Sequence, residues 1–192
     1  VALPVRISTG EKKPAIAFDE DLLFILLWLS GLAILQISSY WQPGQPLTID
    51  LLPHLDIAAA LQEAKASSKK QLPNLLAQWL PTRLAEAWCQ HTPAWQGPVN
   101  QCSDKALAQL AHSLSHWQIT PSGTEGYAKA EVTLGGVDTQ ALAQQSMQAK
   151  QQPGLFFIGE VVDITGWLGG YNFQWAWASA YACAQALQAA SA

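Results

Sequence analysis

The densest run of chemistry-bearing residues lies between Pro153 and Ala184, PGLFFIGEVVDITGWLGGYNFQWAWASAYACA. Glu160 and Asp163 place two carboxylates in one loop with Gly166, Gly169 and Gly170, and Asn172 follows at the start of an Ala-rich helix. A helix start offers backbone N–H groups without intrahelical partners, and glycines let a ligand come close to them. The same residues also suit a tight strand-to-helix turn with no ligand at all. Other candidates are weaker. His112 and His116 are four apart on a predicted helix, a spacing that can chelate a metal, with Cys89 and Cys102 as further conceivable ligands. No Cys-x-x-Cys or carboxylate completes that set, so no metal is expected. Ser30 precedes Gly31, but no glycine stands two positions before it, so the hydrolase elbow is absent and no catalytic residue is assigned.

The elements around the loop read as strand, loop, helix. Leu155, Phe156, Phe157 and Ile158 form a continuous apolar run after a Pro-Gly turn, the pattern of a strand buried on both faces, and Gly159 ends it. The helix predicted over Asn172 to Gln188 is apolar nearly all round, through Trp175, Trp177, Tyr181 and Leu187. Such a helix expects neighbours on several sides.

Gly-Leu-Phe-Phe-Ile-Gly-Glu, then Asp163, then Gly-Gly-Tyr-Asn-Phe-Gln-Trp-Ala-Trp-Ala-Ser, resembles the carboxy-terminal flavin-binding segment of the BaiN-like flavoproteins, also described as aminoacetone-oxidase-family FAD-binding enzymes. The resemblance implies that this segment closes a two-part FAD domain. It places the acidic residue after the strand near the ribityl chain and the Gly-Gly-Tyr-Asn turn at the flavin ring. Carried over by motif, the flavin-facing candidates are Gly159, Glu160, Gly169, Gly170, Tyr171 and Asn172. GYAKAEVTLGGVDT is similar to the family's passage from an inserted domain back to the FAD domain. The Gly-x-Gly-x-x-Gly turn that would hold the pyrophosphate is absent. The resemblance therefore covers nearly the whole chain but only the second part of the family's length. FAD belongs to the parent family, and none is expected to be retained by this chain alone.

Composition bounds these readings. With 192 residues, 49% of them hydrophobic, and a net charge of -4, the chain can bury one ample core or two small ones and is not disordered. Its 10 Lys and Arg residues read as scattered, which predicts no nucleic-acid partner and no anionic membrane surface. Cys89, Cys102 and Cys183 are odd in number and lack paired spacing, so a reducing, cytoplasmic setting is expected. A start at Val1 without Met suggests a fragment, a processed product or a trimmed chain.

From the amino terminus, Val1 to Phe18 predicts two strands around the polar turn Thr9 to Pro14. LLFILLWLSGLAILQISSYW follows, uncharged from Leu22 to Trp41, and by hydropathy alone it could span a membrane. The resembled family carries a soluble Phe-Thr-His-x-Gly-Leu-Ser-Gly-Pro-Ala turn here. This chain keeps Phe24, Leu29, Ser30, Gly31 and Ala33 but has Ile25, Leu26, Leu27, Trp28 and Leu32 in place of the rest. Such clustered apolar departures suggest an engineered surface, with an unusual natural homologue as the alternative. If a helix starts early, Ile25, Trp28, Leu29 and Leu32 fall at i, i+3, i+4 and i+7, a face for a protein partner or a second copy of the chain. The bland alternative is that the same residues are core.

Further on, a strand is predicted over Leu47 to Leu52. Helices are predicted from an Asp56 cap through Lys65, over Asn74 to Leu80, over Thr82 to Gln90, and over Asp104 to His116 behind a Ser103 cap. Strands return at Gln118 to Thr120 and Ala128 to Leu134. The fold expected is α+β, a small β-rich, barrel-like portion with a helical insertion and a C-terminal strand-loop-helix. In domain terms this is a β-rich inserted domain over 1–50 and 117–136, a helical subdomain over 51–116 and an FAD-domain segment over 137–192. The functional expectation is a non-catalytic flavoprotein scaffold with an association patch. The alternatives are a natural segment of an FAD-dependent oxidoreductase and a membrane-anchored protein with a span near 22–41.

Overall fold

Leu3, Val5 and Ile7 are buried and alternate with exposed Ala2, Pro4 and Arg6, the period-two pattern that builds the first strand, β1 (Ala2–Thr9). The computed structural model describes residues 1–10 and 15–190, so the middle of the expected hairpin turn, Glu11 to Pro14, lies outside the described residues. In chain order there follow β2 (Ile16–Phe24), β3 (Leu29–Ser30), α1 (Leu32–Ser38), β4 (Leu47–Asp50), α2 (Ile57–Ser67), α3 (Leu72–Leu76), α4 (Thr82–Gln90), α5 (Asp104–Ser115), β5 (Trp117–Ile119) and α6 (Tyr171–Ala190). The fold is α+β, divided into two compact units, Val1–Gly123 and Thr124–Ala192.

In the first unit the five strands form one antiparallel sheet in the order β3-β2-β1-β4-β5. The sheet curls. Phe24 on β2 stacks on Trp117 of β5 with ring centroids 6.0 Å apart, although two strands lie between them and flat strands would be about 14 Å apart. Trp88 of α4 meets Trp117 edge-on at 5.4 Å and donates to the Ser113 hydroxyl at 3.0 Å, which ties the helices to the sheet end. The core joins Ile7, Leu22 and Ile49 from the sheet to Leu61, Leu110 and Leu114 from the helices.

Local chemistry sets the helix starts. Asp56 accepts the Ala59 N–H at 3.0 Å ahead of α2, and Ser103 accepts the Ala106 N–H at 3.2 Å ahead of α5. Pro73 sits in the first turn of α3, where its missing N–H costs nothing.

Residues 22–41 adopt neither a membrane span nor the expected early helix. Leu22 to Phe24 complete β2, Ile25 donates its N–H to the Trp28 carbonyl at 3.0 Å, and Leu29 and Ser30 return as β3. Gly31 enforces the break. Its φ is 90°, and a Cβ there would stand 2.6 Å from the Asp21 carbonyl oxygen. Ile25, Trp28, Leu29 and Leu32 therefore do not share a helical face. Among the described residues no helix is long and apolar enough to cross a membrane.

The second unit has a small core of Leu142, Met147, Val162 and Cys183. The strand expected at Leu155 to Ile158 reduces to one antiparallel bridge, Gln148 with Phe156, because among the described residues of this unit no adjacent ladder pairs its backbone. Leu155 and Ile158 are 42% and 43% exposed, against the expectation of burial on both faces. The strand expected at Ala128 to Leu134 is also missing. That stretch is exposed and irregular after a 3-10 turn at Gly126–Ala128, with no neighbour to pair with.

Candidate functional site

Gly159 opens a 3-10 turn, Gly159–Val161, with φ 70°. Two side chains of α6 hold it. Its N–H donates to the Ser179 hydroxyl at 2.9 Å, and its carbonyl accepts from the Trp175 indole N–H at 2.9 Å. Trp175 and Ser179 are four apart on one helix face, and that spacing is the sequence signal by which the tether could have been found.

The rest of the loop closes on the start of the same helix. Gly166 donates its N–H to the Asn172 side-chain oxygen at 2.7 Å, and the Asn172 amide returns a bond to the Gly166 carbonyl at 3.3 Å. Asn172 is thus a clamp within the loop, with its amide spent there. Gly166 has no room for a side chain, since a Cβ would lie 2.7 Å from that of Tyr171. Gly169 and Gly170 have φ of 112° and 91°, backbone that L side chains rarely adopt, and the space beside Gly170 is open. Gly170 accepts the Gln174 N–H at 2.9 Å, so the N–H groups of the first turn of α6 lie next to that open space.

Glu160, Gly169, Gly170 and Tyr171 are exposed, while Gly159 and Asn172 are half-buried. Hydrogen bonds to α6 therefore hold Gly159, Gly166 and Gly170, with Asn172 as the clamp, Gly169 next in the chain to Gly170 and Glu160 on the turn beside Gly159. This set of groups fits an elongated polar cofactor: glycines that admit close backbone approach, a helix start and the exposed carboxylates of Glu160 and Asp163.

Beside the loop a cleft of about 430 Å³ is lined by Leu142, Met147, Val162, Ile164, Trp175 and Ser179, among others. Met147 holds φ 61° there, a left-handed conformation uncommon for its type, with its N–H bonded to the Ala143 carbonyl at 2.7 Å. Nothing in its residue type marked this position in advance.

The remaining candidates sit elsewhere. His112 and His116 stack with ring centroids 4.7 Å apart, and Ser115 shares a 2.8 Å hydrogen bond with His116 Nδ1. Among the described residues no group of three His, Cys, Asp or Glu side chains could hold a metal ion. Cys89 and Cys102 are buried; burial, with a contribution from Cys102, pushes the Cys89 thiol up to about 11, and burial also raises Cys102. Neither is a ready thiolate nucleophile. Ile25, Leu26, Leu27 and Trp28 form the β2–β3 hairpin tip, 42%, 94%, 80% and 42% exposed.

The family described as HI0933-like protein barrel and H2TH domain matches residues 1–132. The chain is 52% identical over 191 residues to a ribosomal RNA dihydrouridine synthase of Escherichia coli, covering 99% of this chain and 47% of that protein. It is 47% identical over 185 residues to a protein of the same name from Haemophilus influenzae, covering 96% and 45%. It is 26% identical over 170 residues to a 3-dehydro-bile acid delta(4,6)-reductase of Clostridium scindens, covering 82% and 41%. The chain thus spans less than half the length of these curated relatives. The family found is the HI0933-like one, and the match does not single out the BaiN-like group that the motifs suggested. The relatives named for ribosomal RNA also overturn the expectation of no nucleic-acid partner, which rested on a mildly acidic balance and on cations read as scattered along the chain.

Proposed function

We propose, since the chain belongs to the HI0933-like family of proteins with a barrel and an H2TH domain, that it is the second part of an FAD-dependent oxidoreductase that reduces uridine in ribosomal RNA to dihydrouridine. The observation that carries this reading is the identity of 52% to a relative named for that activity, sustained over 99% of the chain and so through the glycine-rich loop. The flavin, once reduced by an external electron donor, would supply a hydride to the C5–C6 double bond of the pyrimidine and return to its oxidised form, and a proton completes the reduction. The chain's own part is to bind and orient. Gly169, Gly170 and Tyr171 would offer backbone to the flavin, Asn172 would hold the loop through Gly166, and Glu160 would accept a hydroxyl hydrogen bond from the ribityl chain. Gly159, fixed by Trp175 and Ser179, sets where that carboxylate stands.

The exposure of the second unit supports the same reading. Phe173, Trp177 and Tyr181 are 74%, 74% and 69% exposed on α6, and the unit buries four apolar side chains. A helix apolar all round with so small a core calls for further covering surface. We assign that role to the amino-terminal, dinucleotide-binding part of the longer protein, with residues 137–192 completing its FAD domain. A ribosomal RNA substrate would put the whole protein in the cytoplasm. An engineered association patch at residues 25–32 gains nothing from the fold or the relatives, and the natural-segment reading is preferred.

The test is flavin binding. The 192-residue chain alone should bind FAD more weakly than about 100 μM by fluorescence quenching, since no pyrophosphate turn is present. Stoichiometric flavin in the purified chain would contradict the division of the cofactor site between two parts.

A further inference from the structure

Charge is unevenly distributed along the chain. Of its 10 Lys and Arg residues, five lie within 51–116 against four carboxylates, and all 4 histidines lie there too. The other residues carry the remaining five cations against ten of the 14 carboxylates. A chain of net charge -4 thus contains one segment that is slightly positive at neutral pH.

Within that segment the cations gather where α2 ends. Lys69 and Lys70 occupy the link from α2 to α3, both exposed and in no ion pair among the described residues. Their backbone is fixed. Ser68 donates its N–H to the Ala64 carbonyl at 2.8 Å, Lys70 donates to the Ser68 hydroxyl at 3.1 Å, and the Lys70 carbonyl accepts the Val99 N–H at 2.9 Å. Two residues on, Leu72 donates to the Gly97 carbonyl at 3.0 Å. Lys65, in the last turn of α2, reaches Asp104 at 2.7 Å, which brings the start of α5 and exposed Lys105 to the same end of the helical layer. Flexible lysine stems on rigid, hydrogen-bonded backbone are the arrangement that positions a nucleic acid through its phosphates without reading its bases.

We infer that the α2–α3 link is the surface on which this chain holds the ribose-phosphate backbone of RNA, with Lys69 and Lys70 as phosphate contacts and Lys105 beside them. The inference rests on the ribosomal RNA reading above and adds to it the place of contact. An acidic protein partner is the competing occupant of the same surface. RNA is favoured because the relatives are named for it.

The test uses the 192-residue chain and protein-free ribosomal RNA, with affinity measured by filter binding over a salt series. Lys69→Ala/Lys70→Ala should weaken binding roughly tenfold at fixed salt and lower the slope of log affinity against log salt by about 1 to 2. Lys69→Arg/Lys70→Arg should restore both, and Lys129→Ala/Lys150→Ala, in the second unit, should change neither. Unchanged melting of every variant separates these effects from folding. If the parent chain binds RNA and the alanine pair binds it with the same affinity and slope, the inference is overturned while the RNA reading stands. If the parent chain binds no RNA at any salt, both fall.

Discussion

Gly31 shows how much one residue decides. Its φ of 90° and the 2.6 Å approach to the Asp21 carbonyl leave no room for a side chain, whereas Gly44, with φ 85°, faces open space. Gly31→Ala should therefore cost about 3 kcal/mol or more through strain and clash together, and Gly44→Ala only about 1 kcal/mol through strain. Urea unfolding of both variants checks the difference, and equal losses would contradict it. Cys89 offers a pH test. Its folded-state value near 11 lies above the unfolded value of 9.0, so the stability it contributes is full below pH 9 and is lost as pH rises towards 11. The loss is on the order of 2–3 kcal/mol, and Cys89→Ala should remove that part of the alkaline decline when melts are compared between pH 8 and pH 11. At this scale the caps were legible. Asp56 and Ser103 announce their helices because each side-chain oxygen needs only the N–H three residues on. The pairing of Asn172 with Gly166 was not, because a loop's bonds depend on a path that residue types alone do not state.

Element by element, legibility followed how local the cause was. α4 begins and ends where the residues predict, and α2 and α5 begin there, because capping and periodic apolar positions act within a few residues. Residues 22–41 misled by hydropathy, since a run of apolar residues serves a buried strand, a hairpin and a core helix as well as a membrane span. Leu155 to Ile158 misled differently. A strand exists only with a neighbour to pair with, and this chain holds fewer than half the residues of its relatives. The hairpin tip yields a prediction of its own. Leu26 and Leu27, 94% and 80% exposed, should tolerate replacement by Ser with less than about 0.5 kcal/mol change in stability. A loss of several kcal/mol in a thermal melt would mean that the tip is core after all.

For the molecule as a whole, the α+β class was readable, while the expectation of no nucleic-acid partner, drawn from cations read as scattered and a mildly acidic balance, is overturned by the names of the relatives. A net charge of -4 conceals a helical segment whose cations outnumber its carboxylates. The two units also differ in what they ask of their surroundings. The first packs a continuous core between sheet and helices, and the second leaves the aromatics of α6 exposed. The most direct test of the account is to install this chain in the Escherichia coli relative in place of the 191-residue segment it matches, and to assay the chimera on ribosomal RNA. The chimera should purify with one FAD per molecule and, once the flavin is reduced, convert uridine in the RNA to a product heavier by two hydrogens in nucleoside mass spectrometry. A folded chimera that holds FAD, binds the RNA and leaves every uridine unchanged would contradict it.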